Sequence, residues 1–435
     1  MDIPVFVMTI LKRLQTCGYQ AYIVGGAVRD KCLHRPVTDW DVAASAPPAK
    51  VRSLFRDIRN FSLRHGTVTL VDAAHLYEVT TYKGSKNFGH SIEEDLRHRD
   101  FTINSMAYDM EKKTILDPNK GREDILRKFV RAVGDPERRF REDPLRLLRA
   151  VRLATELGFR IERQTLETIS MMADQLINVA HERIREELMK ILMSPRPSHG
   201  FNLMVRTGLL RQILPELLER YLKRQNAYHR YTIYKHIMET VDRVAPDPIL
   251  RLIALLHDIA KPRTREKVKG EWRFFGHEEA SARLAKEIML RLKFGNDMIE
   301  KVTNLIAHHM VGYDQVWSDG AVRRLIRRVG PGNMDHLLSF RRADLLAHGL
   351  KDQKLKLLSE LEKRVEGLSE RPFAVKARDL AIDGHEVMEV LGLRPGPEVG
   401  EALGVLMEKV TDGPELNTQE RLIAILKGMK GQSPP

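Results

Sequence analysis

The feature that most restricts this chain is a change of periodicity near Gly134-Asp135-Pro136. From REDPLRLLRAVRLATELGF onward, apolar residues recur every three or four positions, through 143–157, 164–177, 181–192 and 200–213. That spacing is the stripe of an amphipathic helix. The rest reads as helical too, punctuated by APDP, GPGN and LRPGPEVG, clusters that stop helices. Residues 20–115 behave differently: short runs such as AYIV, WDVAA, TVTLVD and YEVTTY mix with helical stretches at 49–57 and 100–109, a mixed α/β pattern. The expected architecture is an α/β head followed by a long all-α body. No internal repeat or low-complexity tract interrupts it, and at 435 residues the chain needs more than one core.

A net charge of +13 favours a polyanionic partner. Cys17 and Cys32 are the only cysteines and have no metal-type spacing, which fits a reducing compartment and argues against a disulfide framework. The start MDIPVFVMTILKRLQTCGY has Lys12 and Arg13 inside its apolar run and reads as a helix ending near Gly18. No stretch approaches the ~20 apolar residues that span a bilayer. A cytoplasmic protein with no membrane partner is expected.

Within the head, YIVGGAVRDKCLHRPVTDWDVAASAPP places Asp39 and Asp41 on either side of Trp40. In a strand, alternate side chains share a face, so both acids point one way. Carboxylates ~4 Å apart repel by roughly 4 kcal/mol at an effective dielectric of ~20. They are either two solvated acids on an edge strand or the ligands of a cation, and oxygen-only ligands at an open site suit Mg²⁺. Gly25-Gly26 lies between the strand AYIV and a helix start, a turn where backbone N–H groups can approach a polyphosphate. Glu78, in LYEVTTY, is either a third acid of the cluster or an exposed strand acid.

Five segments, VGGAVRD…TDWDVA, EEDLRHRDFTINSMAY, LDPNKGREDI, RFREDPLRLLRAVRLATELGF and HERIREEL, resemble in order the motifs of class II tRNA nucleotidyltransferases. That family comprises CCA-adding enzymes and bacterial poly(A) polymerases, built on a polymerase-β-like head. The resemblance implies Mg²⁺ at Asp39 and Asp41; Glu78 stands as the candidate third catalytic acid, and Gly25, Gly26 and Arg29 as candidate nucleotide contacts. It assigns ribose recognition to Arg99, Asp100 and Asn104, while His98 stands where the family usually has arginine. Asp117, Gly121 and Asp124 match a hinge motif, and Glu182 and Arg185 support the base-reading helix. The implied partners are tRNA, CTP and ATP.

Asp143, Arg146 and Arg149, with Glu142, follow at helical spacing around Pro144. They form either a surface helix laced with ion pairs or, as the resemblance implies, an amino-acid template for the incoming base. Asp offers acceptors and Arg donors, so Asp143 with Arg146 matches the amino group and ring nitrogen of cytosine or adenine. Uracil presents the reverse pattern. The segment YKGSKNFGH, Tyr82 to His90, is shorter than the family's usual flexible loop. In the family a short loop accompanies addition of CC without the terminal A.

In the body, His236, His257, Asp258, His277, His308, His309 and Asp344 recur beside apolar helical stripes. Each alone reads as a core or surface residue; together they suit a transition metal. LLHDIAKP resembles the HD phosphohydrolases, which implies His236, His257, Asp258 and Asp344 as primary ligands and His277, His308 and His309 as candidates for a second ion. The expected domains are a nucleotidyltransferase head (1–135), a helical neck with the base-recognition motif (136–195), a helical HD domain (196–370) and a helical tail (371–435). The leading function is addition of CMP, and of AMP if the loop permits, to tRNA 3′ ends. The alternatives are a poly(A) polymerase, or an HD phosphohydrolase acting on RNA ends with an accessory head. Oligomeric state is not readable from the residues.

Overall fold

The computed structural model describes residues 3–62, 66–72, 75–84, 89–219, 231–348, 352–370 and 373–430. The chain forms two compact units, Met1–Pro215 and Glu216–Pro435. The expected divisions at 135 and 370 fall inside these units.

The first unit is built on a seven-stranded mixed sheet. Its strands are β1 (Ala21–Val24), β2 (Asp41–Ala44), β3 (Asn60–Ser62), β4 (Thr67–Asp72), β5 (His75–Thr81), β6 (Ala107–Asp109) and β7 (Thr114–Leu116), in the order β3-β4-β5-β2-β1-β6-β7. β2 pairs parallel to β5, and every other pairing in this sheet is antiparallel. The central strands read as short apolar runs because both faces are covered: Ile23, Val42, Ala43 and Ala44 are fully buried. Helix Val5–Thr16 buries Val7, Ile10, Leu11 and Leu14.

Two local expectations are corrected here. Residues 100–109 are not a helix: a 3₁₀ turn at Thr102–Asn104 gives way to β6, because Tyr108 and Ala107 pair with Ile23 and Val24 of β1. The stretch EDPLRLLRAVR is not one helix either. Helix Pro136–Glu142 ends, Asp143 is extended (φ −153°, ψ 99°), and a second helix runs Leu145–Leu157. The proline ring at position 144 disfavours helical backbone in the residue before it. That second helix buries Leu147, Leu148, Val151 and Ala154, and helix His181–Leu192 buries Ile184, Leu188 and Ile191.

The second unit is mostly helical, as expected. Helices Ile233–Arg243, Pro248–Leu256, His277–Arg291, Asn296–Ala307 and Met334–Ala347 carry the histidines and acids singled out above or lead directly into them. One segment departs from that reading: Arg265–Val268 and Glu271–Phe274 form an antiparallel hairpin. Its turn residues Lys269 and Gly270 both have positive φ (50° and 85°), the twist that a two-residue hairpin turn requires. At the C-terminal end, Val387, Leu406, Val410, Leu422 and Leu426 make a separate core cluster. Arg323 ties helix Asp319–Val329 to it by donating to the carbonyls of Thr411 (2.6 Å) and Asp412 (2.8 Å).

Candidate active site and second metal centre

The acid cluster follows from strand register. β1 and β2 run antiparallel with Val24 opposite Asp41, so the Gly25-Gly26 turn that ends β1 lies beside the start of β2. β5 runs parallel to β2 with Glu78 opposite Asp41, which brings those carboxylates side by side. The strand starts at Asp41, so Asp39 precedes it rather than belonging to it. The alternation nevertheless holds: Trp40 is buried, Asp39 exposed and Asp41 half-buried. Burial raises the Asp41 carboxyl, Arg99 lowers it, and Asp39 raises it again. Burial likewise raises Glu78, followed by the charges of Asp41 and Asp39. Two neighbouring carboxyls that both resist ionising, Asp41 and Glu78, are a fit for a divalent cation. Gly25 has φ 70°, and a Cβ there would stand 3.3 Å from Arg99 Nη1 and 3.4 Å from Asp41 Oδ2, so only glycine suits this approach.

A cavity of about 890 Å³ opens over the cluster, with Asp41, Glu78, Thr67 and Thr80 at the acidic wall. Lys83, Arg99, Asp100, Asp143, Arg146, Arg149 and Arg183 line it as well. Gly26, Arg29, Asn104 and Asp39 are not among its lining residues. Asp100 is buried; burial opposes its charge, but Arg149, then Arg146, then the Phe101 N–H hold its carboxyl at about 2. The Arg149 guanidinium sits 2.6 Å from Asp100 Oδ2 and is itself raised by that carboxylate. Behind Asp100, Asn104 Nδ2 approaches Oδ1 at 3.4 Å, and Arg29 donates to Asn104 Oδ1 at 2.8 Å. Arg29 and Asn104 therefore brace Asp100 rather than face the cavity.

The base-reading pair expected at Asp143 and Arg146 is present but differently partnered. Asp143 accepts two bonds from Arg183 (3.1 and 2.8 Å); burial opposes the shift, but the Arg183 bonds lower its carboxyl. Arg146 donates to Glu142 Oε2 (2.9 Å) and to the Arg139 carbonyl (3.0 Å). Arg183 is a site residue that the sequence reading missed. The signal for it was Glu187, one helical turn on and buried against Arg152 of helix Leu145–Leu157 at 2.5 Å, which fixes the face that Arg183 shares. Lys83 and Asp95 were also missed: Asp95 accepts from the Lys83 N–H (2.9 Å) and pairs with Arg99 (2.9 Å). In the hinge motif, Asp117 accepts from the N–H groups of Gly121 (2.6 Å) and Arg122 (2.9 Å), and Asp124 accepts from Thr102 Oγ1 (2.7 Å).

In the second unit, two sets of side chains each bring three ligand atoms within 4.8 Å of one another: His236, His257 and Asp344, and Asp258, His277 and His309. Asp258 faces both sets. Its Oδ2 lies 3.2 Å from His257 Nε2 and 3.6 Å from His236 Nε2, and its Oδ1 lies 3.5 Å from His277 Nε2 and 3.8 Å from His309 Nε2. His308 is not in either set; its Nδ1 sits 2.9 Å from the Asn304 carbonyl. That corrects the expectation for His308. All six ligating residues are buried, yet Asp258 Oδ1, His277 Nε2 and Asp344 Oδ1 have no hydrogen-bond partner. Orphaned buried ligand atoms that converge in this way fit bound metal. Burial opposes it, but His257 and Lys261 hold Asp258 well below the usual carboxylate range; burial pushes His309 down to about 3, leaving a neutral imidazole. Lys261 (2.6 Å from Asp258), Arg341 (2.7 Å from Asp344) and His348, whose ring stacks on His236 at 4.0 Å, were not anticipated.

Comparison with known proteins agrees with this geometry. Residues 21–131 match the poly A polymerase head domain, 158–220 the probable RNA and SrmB-binding site of polymerase A, and 227–346 the HD domain. The chain is 33% identical over 434 residues to the CCA-adding enzyme of Geobacillus stearothermophilus, covering 96% of this chain and 95% of that protein. It is 33% identical over 432 residues to the CC-adding tRNA nucleotidyltransferase of Thermus thermophilus, covering 94% of each. The crystal structure of Bacillus stearothermophilus CCA-adding enzyme in complex with CTP superposes with a TM-score of 0.74 at 30% identity, over 98% of this chain and 97% of that one. Among the described residues, no helix is long and apolar enough to cross a membrane. With its sheet, its cavity and its full-length similarity in agreement, this chain belongs to the tRNA nucleotidyltransferase family of CCA-adding enzymes.

Proposed function

We propose that this enzyme adds CMP to the 3′ end of tRNA, completing CC and leaving the terminal A to another catalyst. The observation that carries the CC reading is the short connection after β5. The Tyr82 carbonyl accepts from the Gly89 N–H at 2.7 Å, and the His90 N–H donates to Glu94 at 3.0 Å. Tyr82 is fully buried, and residues 85–88 lie outside the described part. A connection pinned this close to its base leaves little lever to reshape the cavity from cytosine to adenine.

Asp39, Asp41 and Glu78 would hold Mg²⁺. When bound, such ions lower the pKa of the RNA 3′-hydroxyl and neutralise the leaving pyrophosphate. The 3′-oxygen then bonds to the α-phosphorus as the bond to pyrophosphate breaks. The chain's own groups do the rest. The Gly25-Gly26 turn lets the triphosphate approach, and Arg99 and Lys83 face its charge. Asp100, braced by Asn104 and Arg29 and paired with Arg149, would accept from the ribose 2′-hydroxyl. Asp143 accepts from the cytosine amino group, and Arg146 donates to the ring nitrogen. Uracil would leave both unsatisfied, the kind of mismatch that polar sites reject strongly. Incubation with a tRNA ending at the discriminator base, plus CTP and ATP, tests the proposal: a product ending in CC is expected, and one ending in CCA refutes it.

A second reading concerns the HD centre, supported by its orphaned ligand atoms. We propose that the two triads hold transition-metal ions and that the centre hydrolyses a phosphate ester. Elemental analysis of the purified full chain tests the metal half; protein without such metal refutes it.

A further inference from the structure

Strand pairing sets one residue from each of five strands in a row across the sheet of the first unit. Phe61 of β3 stands opposite Thr69 of β4, and Thr69 opposite Glu78 of β5. Glu78 in turn faces Asp41 of β2, and Asp41 faces Val24 of β1. Directly paired residues share one face of a pleated sheet. With neighbouring strands about 4.8 Å apart, the row runs ~14 Å from Phe61 to Asp41, and the Gly25-Gly26 turn follows Val24 at its far end. The opposite face is closed, with Val68, Leu70 and Val79 fully buried. On the open face Asp41 and Glu78 line the cavity, and Thr67 and Thr80 extend its wall towards β4. Phe61 lies beyond them on the edge strand, 40% exposed.

The order of that row gives the reaction a direction. With the triphosphate held at the Gly25-Gly26 turn, as proposed above, pyrophosphate leaves on the β1 side. An attacking oxygen in line with it comes from the other side of the acids, over β5 and β4. The residues of β4 and β5 that line the cavity are Thr67, Glu78 and Thr80, a wall without a cation and so unsuited to a second polyphosphate. Thr67 and Thr80 pair across the strands, and their hydroxyl oxygens lie 3.0 Å apart. One hydroxyl donates to the other, which leaves the pair one free O–H and unused lone pairs. A ribose 2′-hydroxyl is both donor and acceptor and matches such a pair.

We propose that the open face of β3, β4 and β5 is the subsite for the 3′-terminal nucleotide of the acceptor RNA. Its base stacks on Phe61, its ribose 2′-hydroxyl bonds to the Thr67–Thr80 pair, and its 3′-oxygen reaches the acids beside Glu78. This rests on the transfer of CMP to tRNA but not on how many nucleotides are added. An aromatic platform suits the acceptor, because its terminal base changes with every addition and stacking on a ring is sequence-tolerant. The hydroxyl pair supplies what stacking lacks, a means of telling an RNA end from a DNA end. Phe61, Thr67 and Thr80 thus hold the acceptor, while the incoming nucleotide is left to the basic wall across the cavity.

Steady-state transfer of the first CMP by the full chain tests it, on tRNA whose terminal nucleotide is either ribo or 2′-deoxyribo. The parent should favour the ribo end by about fivefold or more in kcat/KM, and the double variant T67V/T80V should bring that ratio below about twofold. Phe61→Leu keeps apolar bulk but removes the ring, and should lower kcat/KM for tRNA about tenfold. Under the same conditions the KM for CTP should stay within about twofold of the parent, and F61Y should restore the parental value for tRNA, a rescue that loss of packing alone does not predict. Because every reading uses the first CMP, a final product ending in CCA would refute the CC reading and leave the subsite standing. The subsite is overturned, even where CC is added, if F61L leaves tRNA kinetics unchanged or raises the KM for CTP equally. It is overturned as well if the ribo preference survives T67V/T80V.

Discussion

Replacing Arg149 by methionine removes the counter-charge of the buried Asp100 and keeps most of the side-chain volume. The Asp100 carboxyl is held at about 2, nearly two pKa units below its ordinary value of about 3.9, a difference worth about 2–3 kcal/mol. Breaking a fully buried ion pair costs about 3–5 kcal/mol, but the Arg149 side chain is 35% exposed and water can partly replace it. The expected loss at pH 7 is therefore about 2 kcal/mol, or about 4–8 °C in the melting of a unit of this size. Because the folded pKa is depressed, this stabilisation is complete above the unfolded value and disappears as pH falls through the folded one. The difference between parent and R149M should thus shrink to about 1 kcal/mol at pH 3. Scanning calorimetry of the full chain at both pH values measures it, and D100N/R149M should recover at least half of the loss, since a neutral amide needs no cation. A melting change under 1 °C, or equal losses at pH 7 and pH 3, would refute this account of Asp100.

D41N should reduce CMP transfer by about 10³-fold, the loss expected when several kcal/mol of charge stabilisation is removed, with the thermal transition unchanged; transfer near the parental rate would remove Asp41 from the metal site. Gly25→Ala should cost about 1–3 kcal/mol, because φ 70° with ψ −135° lies outside the regions open to other residues, read by denaturant titration, and lower transfer further by displacing Arg99. In metal analysis, H309A should lower the bound metal per chain by one ion while H308A leaves it at the parental value. R183A should lower the KM for CTP by up to about fivefold, the equivalent of ~1 kcal/mol for a partly exposed pair, while changing stability by less than that amount.

Legibility in the sequence followed how much of each signal was local. The acid cluster could be read because a strand has a period of two: Asp39, Asp41 and the intervening buried Trp40 sit as alternation demands. The head-then-helices order could be read for the same reason, since periodicity needs no knowledge of partners. Misreadings arose where a partner or a single residue overrode the pattern. Residues 107–109 form a strand that pairs with β1 through Ala107 and Tyr108, and Pro144 split an apparently continuous helix. His308 and His309 both lie just past helix Asn296–Ala307, His308 as its C-cap, and differ in the core spacing they continue. His309 follows Leu305 and Ile306, both fully buried, at core spacing, whereas His308 follows the half-buried Asn304, so the signal existed and was not used. Arg183 was harder, because HERIREEL is polar on several faces and its role is defined by Asp143, forty positions away.

On the proposed reading, Arg183 competes with the incoming base for the Asp143 carboxylate, to which it makes two bonds. If Asp143 reads the base, this internal partner must first be released, so every nucleotide would bind with its affinity multiplied by the fraction of molecules in which this clasp is open. The pair is weak enough, at about 1 kcal/mol or less, that a base able to offer Asp143 a better donor displaces it readily. Uracil, which offers an acceptor at that place, would leave it shut. On the proposed reading, selection is then a matter of which base can displace those two bonds.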